Sequence, residues 1–291
     1  MDHRLRRRGL LMAFFGMLLV SSDSFFIRLA DIDGFDVTFW VGLLSALVLF
    51  VFSVAVHGIN PLTGVRDGGW PLWAAGALQA GSTSLFVLAV TLTSVSNVVV
   101  IIAAAPMFAA GLSALLLGER TSRRVWIAIA AVMVGVVVVV GGSFGGGSIT
   151  GDIFAVGAIF LFGCSLVLLR RYVDVNRTLM VGVAGLGMAL IAVIPASLWG
   201  HSNKTWTALI LMGAVFGPLA RVLLARAPRY LPAAEVGLFA PVETVAASLW
   251  AWLFFDETPV LATFVGGSII LGAVVWGTWT TQGETTVVTP S

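Results

Sequence analysis

The chain has 291 residues, of which 59% are hydrophobic and only 10% charged, and its mean hydropathy is +1.03. A soluble domain carries about 25% charged and about 45–50% apolar residues, so too little polar side chain is present here to coat a globule. That composition argues against a soluble enzyme, a nucleic-acid binder or a disordered scaffold, and for an integral membrane protein.

Four arginines, Arg4, Arg6, Arg7 and Arg8, precede an apolar run over 10–20. This has the basic and apolar regions of a signal peptide, but no small-x-small cleavage signature follows. Residues 23–30 carry the segment on, which predicts retention as a first spanning helix. A spanning helix needs ~20 largely apolar residues. Ten such segments follow along the chain, near 9–29, 35–56, 71–91, 95–117, 124–141, 151–171, 178–199, 206–226, 231–254 and 259–280. Turn residues such as Asn60-Pro61 and Asp67-Gly68-Gly69 mark the connections. A Gly/Ser-rich stretch over 141–151 divides the chain nearly in half and reads as a flexible linker. It is no phosphate loop, because no Gly-Lys-Ser/Thr follows. The expected organisation is a five-helix unit over 1–141, a linker over 142–150, a second five-helix unit over 151–280 and a disordered cytoplasmic tail over 281–291.

The basic residues segregate by side. With the N-terminus placed inside, 13 of the 16 Lys and Arg fall on that side, only Arg28 and Lys204 fall outside, and Arg221 lies within the eighth segment. The first outer loop carries Asp31, Asp33 and Asp36 instead. This predicts cytoplasmic N- and C-termini in a plasma (inner) membrane, in keeping with an even number of spans. The ten tryptophans all lie near predicted segment ends and read first as interfacial anchors. The single Cys164 excludes an internal disulfide and a thiolate metal cluster. His3, His57 and His201 fall in tails or loops, so no metal site and no cofactor are expected.

The two halves echo each other. Segment 4 contains Ala105-Pro106-Met107-Phe108 and ends in Gly118-Glu119-Arg120; segment 9 contains Ala240-Pro241-Val242-Glu243 and ends in Asp256-Glu257. Each copy has a proline inside an apolar span, an acidic exit and a further Gly-containing span. Five spans per unit force the second unit to enter from the opposite side, an arrangement that recurs in secondary transporters. The run Thr93-Ser-Val-Ser-Asn97 through Pro106 to Arg120 resembles the first copy of the EamA domain of the drug/metabolite transporter superfamily, and Tyr230 through Glu243 to Glu257 resembles the second. The resemblance covers roughly 9–280. It implies an all-α membrane fold of ten helices in two inverted five-helix repeats. One departure is that relatives commonly carry Arg early in segment 2, where this chain has Phe39-Trp40-Val41, so no role of that Arg carries over.

Ionisable groups at membrane depth cost ~2.5–3.5 kcal/mol on insertion scales and call for a partner or a purpose. The substrate-cavity candidates are Asp23 and Ser22 in segment 1, Gln79 in segment 3, Asn97 at the outer end of segment 4 and Glu243 in segment 9. Each also has a plainer reading. The serines around Asp23 can return hydrogen bonds to their own helix, Asn97 can cap segment 4, and Gln79 can join helices. Asp23 and Glu243 are the candidates for carrying a coupling proton. Counting along straight helices puts Arg221 about 7 Å and Glu235 about 11 Å inside the midplane. That predicts a structural Arg221–Glu235 ion pair, with Glu243 as the other partner for Arg221. Gly213-xxx-Gly217 and Gly76-xxx-Ala80 allow close helix approach.

These features predict a secondary active transporter, an exporter, of a small organic metabolite that is amino-acid-like or drug-like. It would work by alternating access in the lipid bilayer, with proton or substrate antiport, as a monomer or homodimer. No nucleotide-binding motif is present. A passive channel or a non-transporting receptor is the alternative. An intramembrane enzyme ranks lower, since no HExxH or Gly-x-Ser-x-Gly motif and no histidine within a span supplies its chemistry.

Overall fold

The computed structural model describes residues 3–58, 60–93, 98, 101–119, 121–140, 148–197, 199–255 and 261–279. Asn97, Glu257, most of the Gly/Ser-rich stretch and the tail from 280 onward lie outside them. The first half contains α1 (His3–Val20), α2 (Ser22–Ala30), α3 (Gly34–His57), α4 (Pro61–Asp67), α5 (Gly69–Leu92), α6 (Ala105–Leu117) and α7 (Arg123–Val140). The second contains α8 (Ile149–Arg171), α9 (Arg177–Ala192), α10 (Asn203–Ile210), a π-helical turn (Leu211–Phe216), α11 (Gly217–Arg226), α12 (Ala233–Gly237), α13 (Val242–Phe255) and α14 (Leu261–Trp279). Among the described residues, five helices are long and apolar enough to cross a membrane: Arg4–Ala30, Gly34–Val56, Gly69–Leu92, Ile149–Arg171 and Asn203–Arg229.

The starts and stops follow local chemistry. Asp33 accepts from the Phe35 N–H, Asn60 from Leu62 ahead of Pro61, Asn176 from Thr178 and Leu179, and Ser202 from Thr205. Segment 7 stops at Ala192, short of the expected 199. Pro195 disfavours helix at the residue before it, and the chain beyond turns back so that the Ser197 N–H donates to Asp36 Oδ1 at 2.6 Å.

Large apolar side chains lie outside and small ones inside. Leu47, Val51 and Val54 of α3, Leu190 of α9 and Leu115 of α6 are exposed, whereas Ala13, Ala103, Ala109, Ala128 and Ala233 are completely buried. A surface of this kind suits lipid, and the small residues let backbones approach. The α3–α9 crossing is the tightest case: a Cβ on Gly42 would stand 2.6 Å from the Gly185 carbonyl oxygen, and one on Gly185 would stand 2.5 Å from that of Gly42. α7 lies along α14, α5 along α8 and α9, and α1 along α11.

Three interruptions break the expected straight spans. At Ser21 the first span divides, with Ser21 Oγ donating to the Leu18 carbonyl at 2.6 Å and Ser22 Oγ to that of Leu19 at 2.7 Å; such back-bonding bends helices. In segment 8, Pro218 has no N–H to give, and Ser45 Oγ instead donates to the Gly213 carbonyl at 2.8 Å. The π turn lies directly before that proline. Segment 9 was expected to be continuous over 231–254, yet it opens between α12 and α13. There Ala240 N–H bonds Gly237 and Glu243 N–H bonds Ala240, in i−3 steps around Pro241. Just before α6, Ala104 N–H bonds Ile101 in the same way ahead of Pro106. The two openings meet, since a Cβ on Gly237 would lie 3.1 Å from Pro106 Cα.

Candidate functional site

The interruptions at Ser21 and Pro241 set the site. The first starts α2 so that Asp23 falls in its first turn, and the second starts α13 so that Glu243 falls in its first turn. With Arg221 from α11 and Gln79, Ser82 and Thr83 from α5, they line one cavity. Its apolar walls include Met17, Phe86, Phe162 and Leu224. The cavity holds about 90 Å³, against the ~10–15 Å³ needed for one water, so several waters or a small solute fit.

Asp23 and Arg221 form an ion pair at 2.9 Å between Oδ2 and Nη2, with side chains only 1% and 8% exposed. Each partner keeps a buried atom with nothing bonded to it among the described residues, Asp23 Oδ1 and Arg221 Nη1. Buried polar atoms are normally paired, so these two define a donor and an acceptor ready for a ligand or water. Glu243, also buried, lies within Coulombic range of both. No hydrogen bond joins its carboxylate to any described residue, so it stands apart from the bonded pair. With both carboxylates ionised, two negative charges meet one positive charge.

The expected ion pair is corrected here. Arg221 bonds Asp23 and not Glu235, and Arg6 takes Glu235 at 2.8 Å as well as the Thr278 carbonyl at 2.7 Å. Glu235 thus ties α1 to α12 and α14. Straight-helix counting ignored the π turn and the opening at Pro241, which change the rotation and height of everything beyond them. Of the cavity candidates, Asp23, Gln79 and Glu243 come together, Gln79 Nε2 donating to Thr83 Oγ1 at 3.3 Å. Ser22 bonds back to its own helix and does not line the cavity, and Asn97 lies outside the described residues. Arg221 was read as structural and is the cavity's cation; its depth within an apolar span was the available signal.

Trp250 also departs from the interfacial reading. Its indole donates to Ser21 Oγ at 2.8 Å, holding α13 against the break before Asp23. Trp40 packs edge-on to Trp206 at 4.7 Å. Trp70, Trp73, Trp126, Trp199 and Trp276 are exposed, as anchors are. Ser21→Ala leaves the Trp250 N–H without its acceptor and is expected to cost about 1–3 kcal/mol, read as a lowered unfolding midpoint in detergent. Adding Trp250→Phe should recover most of that loss, and a loss that persists in the pair would refute the bond's role.

Among the described residues, no group of three or more His, Cys, Asp or Glu side chains could hold a metal ion. Apolar spans surrounding a small polar cavity define an integral membrane protein built to handle a small solute. Residues 7–141 and 149–279 each match the EamA-like transporter family model, and the chain belongs to that family. It is a membrane transporter, and the exchange of a small molecule across a bilayer is its class of work. It is 29% identical over 176 residues to the pseudopaline exporter CntI, present in two strains of Pseudomonas aeruginosa, covering 58% of this chain and 61% of that one. Less than two thirds of the exporter's length is therefore matched. An uncharacterized transporter from Archaeoglobus fulgidus is 22% identical over 262 residues, 89% of this chain and 92% of that one. A solved crystal structure superimposes with a TM-score of 0.81 at 18% identity, covering 93% of this chain and 97% of the other; at that identity it speaks to fold alone.

Proposed function

We propose that the protein is a secondary active exporter of a small zwitterionic, amino-acid-like metabolite, working by alternating access in the plasma membrane with both termini cytoplasmic. The observation that carries the substrate class is the pair of unbonded buried atoms. Asp23 Oδ1 accepts from an ammonium and Arg221 Nη1 donates to a carboxylate, while Phe86, Phe162 and Met17 contact an apolar side chain. All these groups come from one chain, so a monomer suffices for the site. The matched exporter's name supports the outward direction.

The architecture proposed is ten spans in two inverted repeats, 1–141 and 151–280, joined by a linker over 142–150 and followed by a tail over 281–291. Its support is the exchange symmetry of the packing. α3 meets α9 and α7 meets α14, each helix against its counterpart in the other half. The packing of α5 on α8 is matched by that of α11 on α1. The openings at Pro106 and Pro241 also meet each other. Inverted repeats place a substrate between the halves and alternate its access by rocking one half on the other.

For antiport, Glu243 is the proposed proton carrier. Asp23 is committed to Arg221, whereas the Glu243 carboxylate is free to take a proton and within reach of the pair's charge. Counterflow in liposomes loaded with mixed amino-acid-like solutes tests this, with and without a pH gradient. Saturable exchange of one solute class is expected, lost in Asp23→Asn. Glu243→Gln is expected to keep exchange but lose the response to the gradient. A steady, non-saturating current would favour a channel, and exchange unchanged in both variants would place the substrate elsewhere.

A further inference from the structure

A second cavity, separate from the transport site, holds about 320 Å³ and is lined by polar groups where α9 begins and α11 ends. It opens at the end of the bundle that carries the arginines of α1, for Tyr230 in its lining packs against Gly9. Three guanidiniums converge there, Arg177, Arg226 and Arg229, and Asp174 is the one carboxylate in the lining. The three arginines lie within Coulombic range of one another, which is costly without a counter-charge.

Their donors are not equally committed. Arg177 is 3% exposed, and its guanidinium is spent on the carbonyls of Leu169, Val173, Val175 and Ala225. It fixes the 172–176 turn and adds charge to the cavity without offering donors. Arg226 makes one long bond, 3.4 Å to Thr178 Oγ1, and Arg229 uses only its Nε, on the Val173 carbonyl at 3.0 Å. Among the described residues, nothing else binds these two forks. Two arginine forks with free N–H groups, a hydroxyl on Thr178 and the phenol of Tyr230 suit the oxygens of a phosphate, which guanidinium binds in bidentate fashion. Exposed apolar side chains flank the cavity, Leu11 on α1 and Val56 on α3, where an acyl chain would lie.

We propose that this cavity binds a phosphate-bearing anion through Arg226 and Arg229, and that in the bilayer the phosphate is that of an anionic phospholipid headgroup lodged between α1, α3, α9 and α11. Basic pockets between spans at a membrane surface recognise anionic headgroups in this way. The site stands whether or not the central cavity carries the substrate proposed above, because it shares no residue with it.

Native mass spectrometry of the full chain in mixed micelles tests the proposal, with phosphatidylglycerol, phosphatidylcholine and inorganic phosphate as probes. The wild type is expected to retain phosphatidylglycerol over phosphatidylcholine. That preference should fall about fivefold in Arg229→Gln and about thirtyfold when Arg226→Gln is added, at roughly 1 kcal/mol per arginine at a membrane surface. Arg226→Lys with Arg229→Lys keeps the charge and should keep most of the preference. Arg66→Gln, an exposed arginine outside the cavity, should leave it unchanged. Arg229 is exposed, so its single variant folds independently of the outcome. Millimolar phosphate that competes with the lipid in the wild type but not in the double Gln variant would assign the same site to the soluble ion. Equal retention of phosphatidylglycerol by the wild type and Arg229→Gln, or an equal loss in Arg66→Gln, overturns the proposal.

Discussion

Arg221→Gln is expected to be the most damaging single substitution in the cavity, lowering stability by about 3–5 kcal/mol. The charge it removes faces a carboxylate that is 1% exposed and whose second oxygen already lacks a partner. An unpaired carboxylate at that depth has no water to turn to, and the penalty is that of a stranded ion rather than of one lost bond. Asp23→Asn added to Arg221→Gln removes the stranded charge and should return most of the stability. The double variant should still fail to transport, because neither ligand group has been restored. Denaturant unfolding of the purified protein in detergent, run as a double-mutant cycle, measures the coupling. Additive losses in the cycle would mean that the two side chains act separately and that the ion pair contributes nothing.

A side chain at the α3–α9 crossing carries the second large effect. Gly185→Val places atoms where the Gly42 carbonyl oxygen already sits, 2.5 Å from the first added carbon. Backbone cannot step aside as a side-chain tip can, so the helices must separate along their length. Overpacking typically costs about 1–3 kcal/mol, and transport should be lost with it, since this crossing joins the two halves. Gly111→Ala in α6 is the matched control. Nothing lies within 4 Å of a Cβ there, so the substitution should be neutral or stabilise by up to about 1 kcal/mol through helix propensity. Thermal unfolding followed by size-exclusion separates the two outcomes. A Gly185→Val protein as stable and active as the wild type would mean that the crossing yields easily.

Most spans could be located from hydropathy alone, because a bilayer imposes one length and one composition on every crossing helix. α3, α5 and α8 begin and end within two residues of the expected segments. The interior of the site was half legible. Asp23, Gln79 and Glu243 stood out because polar groups are rare at that depth, and they do share a cavity. The pairing of Arg221 was missed for a geometric reason. A straight count at 1.5 Å per residue put Asp23 about 6 Å outside and Arg221 about 7 Å inside the midplane, too far apart to consider. A π turn widens the helix just before Arg221, and a serine-bonded break bends it just before Asp23. Neither disturbs composition, so neither leaves a trace in a hydropathy window. Pro218 and Pro241 were the visible signs that straight counting would fail in the second half.

The Asp23–Arg221 pair also bears on how the chain is built. The two residues are 198 positions apart, so seven further segments are synthesised between the carboxylate's arrival at the membrane and that of its partner. An unpaired acid near mid-bilayer costs ~2.5–3.5 kcal/mol, and no other residue of the first half bonds Asp23 among those described. The first span is therefore the least settled part of the nascent protein and the last to be secured, although it emerges first. A first half made alone would carry that uncompensated charge indefinitely, which makes the two halves, for all their likeness, obligate companions during assembly.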